Sequence, residues 1–311
     1  MGLLNKIKNL FNKDKSEADK AKPEPKKADA KLADKEPTAK PEPKKAKAKS
    51  ATTIANNGAL PGVFSVAANK KVRFSMGNLQ FNPKNYEFRF ASHQYDIIGN
   101  DNAKIASNYN GWIDLFGYGT SGYMGLQPYE TSTDTQKYLN QDINGTNYDW
   151  GVYNPIGNGG NKAGLWRTLI NDEWNYLSET RPNAANLQAY ASVNGINGFI
   201  FLPDDFYEHR VRVPIDSTPA IRSIPYFWND GCNSFDLTQW ATLEAAGAVF
   251  LPCCGMRKGA AMAYDPVKSW SYWTSTGVSV SGYATIFNLD IKNCSTDSFN
   301  GFPVRLVQDV K

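Results

Sequence analysis

The chain is poor in the side chains that most often do chemistry. Its 311 residues include two histidines, His93 and His209, and four cysteines, Cys232, Cys253, Cys254 and Cys294. The histidines are far apart, with no ligand spacing between them, which argues against a histidine pair for catalysis or metal binding. No two cysteines form a Cys-x-x-Cys, and the adjacent Cys253 and Cys254 follow a strand-like run, where small buried thiols are common. Reduced thiols, no bound metal and no cofactor are expected. A long apolar run is missing too. The first twelve residues place apolar groups at Leu3, Leu4, Ile7, Leu10 and Phe11, a helical stripe too short and interrupted for a secretory signal or a membrane span. Residues 1–12 therefore read as a short amphipathic helix suited to a membrane surface or a protein partner. No targeting signal sets a compartment.

Charge of one sign is scarce in the body of the chain and concentrated at its start. Residues 1–50 hold 15 Lys and 8 acidic residues, whereas residues 51–311 hold 19 basic and 22 acidic ones. A mildly acidic body argues against a nucleic-acid groove. Residues 13–56 consist mainly of Lys, Ala, Glu, Asp and Pro, with Lys-Pro-Glu-Pro-Lys-Lys-Ala at 22–28 and again at 40–46. Such a segment has little to bury and prolines that stop helices, so a disordered tether is expected.

Residues 57–311 carry the apolar and aromatic content of a globular domain. Val63–Val66, Lys71–Ser75 and Tyr86–Phe90 alternate apolar with polar and read as antiparallel strands. Two helices are expected. The first, around residues 168–177, would be capped by Thr168 or Asn171 and bury Trp174 and Leu177; the second would run from Asp236 or Thr238 to Ala246, with Trp240 and Leu243 inward and Gly247 ending it. Strands at 198–203 and 248–252 follow them. Gly111–Gly119, Tyr148–Pro155 and Gly157–Gly160 mix glycine and aromatics too closely for regular elements and read as packed loops. The fold class is α+β, with small antiparallel sheets and two helices.

The C-terminal segment organises the rest. Trp270-Ser271-Tyr272-Trp273-Thr274-Ser275-Thr276 suits a strand packed on one face, and Gly301-Phe302-Pro303-Val304-Arg305-Leu306-Val307 is a second strand-like run. Between them lie small, polar and β-forming residues. If Phe287, Leu289 and Ile291 point inward, the two-residue period sends Ile286, Asn288 and Asp290 to the opposite, exposed face.

The order Tyr-Trp-Thr-Ser-Thr, a loop, Ala284, Phe287, Leu289 and a closing Gly-Phe-Pro-Val-Arg-Leu-Val resembles the variable proteins of diversity-generating retroelements, which carry a C-type-lectin-like domain. The resemblance spans roughly residues 58–310. It implies a C-type-lectin-like fold and a display surface between the two anchors, diversified at adenines of Asn-type codons. Mutating both adenines of such a codon cannot yield Lys, Glu, Gln, Met or Trp. Residues 51–276 contain 33 of these five types among 226 positions, whereas residues 277–302 contain one, Lys292. Arg167-Thr168-Leu169 with Asp172-Glu173-Trp174 is similar to a helix motif shared by these proteins and formylglycine-generating enzymes. Those enzymes use two cysteines near the C-terminus, and here Cys294 alone lies there.

The resemblance implies a ligand-binding protein without catalytic activity, whose protein or glycan ligand meets residues 277–300. The candidate contacts are Val278, Ser279, Val280, Ser281, Tyr283, Ile286, Asn288, Asp290, Asn293, Ser295, Thr296, Asp297, Ser298, Phe299 and Asn300. Tyr283, Ile286 and Phe299 are the aromatic or apolar anchors, and the small polar residues supply adaptable hydrogen bonds, as in antibody loops. The alternatives are a formylglycine-generating-type oxidase and a non-diversified adhesion or structural module. Trp228-Asn229-Asp230 spells a tripeptide of calcium-binding lectins, but calcium wants six to eight oxygens and no matching upstream partner exists. Asp204-Asp205 reads as a strand-end turn, because adjacent carboxylates on extended chain point apart.

Overall fold

The computed structural model describes residues 57–104, 106–130, 139–213, 215, 233–263, 271–279, 283–288 and 294–311. The expected amphipathic helix at 1–12 and the tether at 13–56 lie outside them. The described residues build an α+β fold of small, mostly antiparallel sheets with few helices.

One sheet gathers elements remote in sequence. Strands β1 (Phe64–Ala67) and β2 (Lys70–Phe74) form a hairpin. Strands β3 (Leu79–Asn82) and β4 (Glu87–Phe90) form a second one. The short β5 (Arg167–Thr168) and the closing strand join the first hairpin, in the order β1-β2-closing strand-β5. The largely antiparallel second four-stranded sheet is built on β6 (Gln188–Val193) and β7 (Ile196–Phe201), flanked by β8 (Asn233–Phe235) and β9 (Val249–Pro252). Its β6–β8 pair is parallel. A small hairpin, β10 (Met256–Lys258) with β11 (Ala261–Ala263), precedes the third sheet. That sheet consists of β12 (Tyr272–Gly277), β13 (Tyr283–Phe287) and β14 (Cys294–Asp297), with β13 in the middle. The closing strand, β15 (Leu306–Asp309), pairs with both β2 and β5.

Helices are short. α1 (Trp150–Tyr153) is a single turn within a stretch expected to be loop, capped by Asp149, whose carboxylate accepts the Gly151 N–H. The first expected helix is α2 (Asn171–Asn175), continued by a wider turn over Tyr176–Thr180. Its cap differs from expectation. Ile170 occupies the cap position and has no acceptor, so the Glu173 carboxylate reaches back to the Ile170 N–H at 3.0 Å. The second, α3 (Leu237–Ala245), follows the sequence closely. Asp236 accepts the Thr238 and Gln239 N–H groups while Gln239 returns a bond to Asp236, and Gly247 stops the helix at φ 91°.

Three apolar clusters hold these pieces. The first centres on Trp150, Trp166, Trp273, Phe116 and Phe302. The second joins Phe64, Phe74, Trp174 and Phe287, and the third packs Trp240 against Phe250, Leu202 and Phe235. The third sheet lies between the first two clusters: Trp273, Ala284 and Ile286 belong to one, Tyr272 and Phe287 to the other.

The Gly301–Val307 run is not a continuous strand. Gly301 and Phe302 make single bridges to Arg257 and Phe116, and regular pairing begins only at Leu306. Pro303 has no N–H to offer a ladder. The run instead threads the core, its carbonyls at Pro303, Val304 and Leu306 accepting N–H groups from Trp273, Leu79 and Ser75.

Candidate functional site

The floor of the expected display surface is fixed by hydrogen bonds from three directions. Trp273 donates its indole N–H to the Phe116 carbonyl at 2.6 Å. Ser275 donates its N–H to the Leu169 carbonyl and its hydroxyl to the Thr168 carbonyl, while Thr276 Oγ1 accepts the Asn171 N–H. The 140–143 segment closes the third side. Ile143 N–H bonds the Ser275 carbonyl, and Asp142 accepts the Gly277 N–H at 2.8 Å. Gly277 is required there, because a Cβ would collide with the backbone of Asn140 and Gln141.

The Arg167-Thr168-Leu169 and Asp172-Glu173-Trp174 pieces form the brace behind this floor. Arg167 grips Glu173 through two bonds, of 2.7 and 2.9 Å, and also pairs with Asp309 near the chain end. Lys70 reaches Glu173 at 2.8 Å. Burial would raise the Glu173 and Asp309 carboxyls, but their bonds to Arg167 leave both below the usual carboxylate value. Behind the brace, the fully buried Asp149 accepts the Thr168 N–H and hydroxyl, and burial raises its pKa to about 6.

The structure divides the expected contacts into two groups. Tyr283 is 38% exposed, Ser279 and Ser295 are exposed, and Val278 and Asp297 are half-buried. Tyr283 stands opposite Asp297 in the β13–β14 ladder, and Thr285 opposite Ser295. The two-residue period therefore puts Tyr283, Ser295 and Asp297 on one side of the sheet. Ile286 is only 1% exposed, and Asn288, Thr296, Ser298, Phe299 and Asn300 are buried as well. Their expected exposure is corrected: β13 is a central strand with a cluster on each face, so Ile286 and Phe287 are both inside. The buried amides find side-chain partners, Asn288 donating to Ser271 Oγ just before β12 and Asn300 to Thr296 Oγ1 on β14, each at 3.0 Å. Val280, Ser281, Asp290 and Asn293 lie outside the described residues, as do Leu289, Ile291, Cys232 and Trp228-Asn229-Asp230.

The other chemistry-bearing residues are dispersed. His93 sits on the surface beside Asp96 and stacks on Tyr95, and His209 faces Asp205 at 3.5 Å. Asp204, in the turn after β7, accepts from Ser65 and Arg181. Cys253, Cys254 and Cys294 are outside any disulfide. Burial raises the Cys254 thiol well above its ordinary value and Cys253 to about 11, which keeps both protonated at neutral pH. Among the described residues no three His, Cys, Asp or Glu side chains converge as a metal site, and no helix is long and apolar enough to cross a membrane.

Sequence reasoning missed the supporting role of residues 140–143, and no local signal marks it, since Asp142 acts through a glycine distant in the chain. No protein-family model, curated protein or solved structure matches the chain.

Proposed function

We propose that this protein is a ligand-binding protein on a C-type-lectin-like scaffold, of the kind diversified by a retroelement. Its binding surface is the rim formed by Val278, Ser279, Tyr283, Ser295 and Asp297, and its ligand is a protein or a glycan. The observation that carries this reading is the contrast within one short segment. The third sheet is packed on both faces and hydrogen-bonded to distant parts of the chain, yet one end presents an exposed tyrosine among small polar residues. A rigid base under an aromatic anchor with adaptable polar neighbours is the arrangement that binding loops use. The buried members, Ile286, Asn288, Thr296, Ser298, Phe299 and Asn300, then act as scaffold.

The neighbouring DNA tests the retroelement part. A reverse-transcriptase gene beside a near-copy of the codons for residues 270–306, differing at adenines, is expected; an isolated gene with an invariant segment would overturn it. A library test addresses binding. Simultaneous randomisation of Val278, Ser279, Tyr283, Ser295 and Asp297 should leave most clones folded and yield binders to new targets. A library in which most clones unfold rejects the rim as a binding surface.

A further inference from the structure

The structure has a second concave surface that shares no residue with the 277–300 segment. It is an open cleft of about 910 Å³ between β4 and the segment running from Tyr153 to Asn161, with Tyr86 and Trp112 on its walls. That volume lies within the range of small-molecule sites, which combine aromatic walls with a few polar groups.

Three side chains in the cleft pack at one edge and leave much of their surface to solvent: Tyr86 against Phe81, Tyr153 edge-on to Tyr123, and Arg89 on Trp112. The first is Tyr86. It occupies the left-handed region at φ 54°, where a tyrosine is rare and Asn or Gly would sit with less strain, and it is 46% exposed. Its ring is held edge-on to Phe81 at 5.2 Å, and its hydroxyl lies against Gly122, where any Cβ would collide with it. The second is Tyr153, a large ring 40% exposed at the end of α1. The third is Arg89. Its guanidinium stacks on Trp112, 3.7 Å from the ring centroid, and its Nε donates to Gln80 Oε1 at 2.9 Å. Asp96, in the adjoining groove, attracts it without closing an ion pair, and among the described residues its two terminal nitrogens make no hydrogen bond, so the donor fork can serve a ligand.

We propose that this cleft is a binding site for a neutral oligosaccharide. Glu87 and Arg89 are two residues apart on β4 and so project from the same side of the strand. Together they offer a pair of acceptors beside a pair of donors, with no net charge, which suits vicinal hydroxyls and does not favour a polyanion. The C–H face of a sugar ring carries partial positive charge and rests on the negative face of an aromatic ring, the service Tyr86 and Tyr153 can give. The far wall is already in place. Asn158 pairs with the Phe90 backbone through both amide atoms, at 2.7 and 2.9 Å, and Gly157 N–H bonds the Phe88 carbonyl. Asn154 is likewise held by the Ser121 and Trp150 carbonyls. These two asparagines position the wall, while exposed Asn161 can contact ligand. A preformed wall lowers the ordering cost of binding.

The test is calorimetric titration of the full chain with neutral tri- to hexasaccharides of the glucose, galactose, mannose, xylose and N-acetylglucosamine series. A uronic-acid oligosaccharide and a proline-rich peptide serve as comparators. At least one neutral series should bind with a dissociation constant below a millimolar. Tyr153→Ala and Arg89→Gln should each weaken that binding at least tenfold while the protein stays folded, with only a small drop in melting temperature from the lost edge contacts, and Leu237→Ala, at an exposed side chain on α3, should leave it unchanged. If either cleft variant is unstable, Tyr86→Asn gives the same readout. The proposal fails if no neutral saccharide binds, if the cleft variants bind normally, or if the uronate or the peptide binds more tightly. Loss of binding with Tyr283→Ala but not with the cleft variants would move the saccharide to the rim and also overturn it.

Discussion

Trp174 lies flat on Phe287, with ring centroids 4.3 Å apart and planes 9° from parallel. The helix α2 therefore bears directly on the central strand of the third sheet. The same helix supplies Glu173 to the Arg167 brace, so stacking and ion pairing act on one element. The rim at Tyr283 begins four residues from this contact, at the other end of β13. One end of β13 is thus clamped while the other reaches the surface, the arrangement on which the proposed binding rim rests.

The first prediction concerns the two sides of β13. Phe287→Ala and Ile286→Ala should each cost roughly 2–5 kcal/mol, because each empties a filled cluster. Tyr283→Ala and Ser295→Ala should stay within about 0.5 kcal/mol. Urea denaturation of the four variants decides it. If Ile286→Ala melts like the rim variants, the packing of the strand is misassigned.

Much of this fold was legible because single residues announce it. Asp236 or Thr238 at the start, Trp240 and Leu243 inward and Gly247 at the end defined α3 to within two residues, since cap and stop signals are local. Trp174 and Leu177 marked the buried side of α2 and of the turn that continues it, because apolar residues three apart share a helix face, although the expected cap there is not used. β13 was harder. Ala284-Thr285-Ile286-Phe287 alternates in size but hardly in polarity, and a strand buried on both faces gives no period-two signal. Asn288, Thr296 and Asn300 read as surface because they are polar, but they are inside, and their partners could be identified only once the chain was folded. Arg305 was hidden in an apparent strand for a similar reason. Within the expected contact segment the sequence did not separate exposed from buried positions: Tyr283 and Ser295 are exposed, whereas six of the residues grouped with them are buried.

The brace yields the second prediction. Glu173 is nearly fully buried, and two cations, Arg167 and Lys70, compensate it. Arg167→Met leaves Lys70 alone and also releases Asp309, so a loss of about 3–5 kcal/mol is expected, the usual result of removing one member of a buried pair. Glu173→Gln should cost less, because its amide oxygen can still accept the Ile170 N–H. Thermal melts in which Arg167→Met is the milder of the two would show that the pairing does not hold α2.

A third prediction follows from the buried carboxyls. Desolvation raises Asp114 and Asp149 to about 6, despite the hydrogen bonds each accepts. A carboxyl raised in the folded state adds stability that is complete below its unfolded value and is lost as pH rises through 6. Glu173, Asp204 and Asp309 are lowered instead, so their contribution disappears only under more acidic conditions. Stability should therefore rise as pH falls from about 7.5 to about 5, then decline below about 4 as the second group protonates. Asp114→Asn should flatten the upper limb. Melting temperatures across this range provide the check, and a monotonic fall from pH 7.5 would contradict it.

The last prediction concerns Arg305, the cation within the closing Val-Arg-Leu-Val. It is 1% exposed and faces neutral groups: Nη2 donates to Gln94 Oε1 at 2.6 Å and Nη1 to Asn78 Oδ1 at 3.3 Å. Burial lowers its pKa to about 10. Gln94 passes the contact on, donating to Glu244 on α3 and to the Ala248 carbonyl, while Asn78 reaches Tyr272 in β12. The guanidinium thus joins α3, beside the second sheet, to the third sheet through two amides. Lysine cannot span both oxygens, and its compact ammonium is more costly to desolvate than the delocalised fork. Methionine abandons both bonds but removes the charge. Gln94 Oε1 would keep the Phe250 N–H as a donor at 2.9 Å, leaving mainly Asn78 Oδ1 unsatisfied, at a cost of about 1–3 kcal/mol. Arg305→Lys should therefore destabilise more than Arg305→Met at neutral pH, and the gap should narrow above about pH 9 as the buried lysine gives up its proton. Denaturation of both variants at the two pH values tests the order. A lysine variant as stable as wild type would mean that the charge, rather than the two-pronged geometry, holds the sheets together.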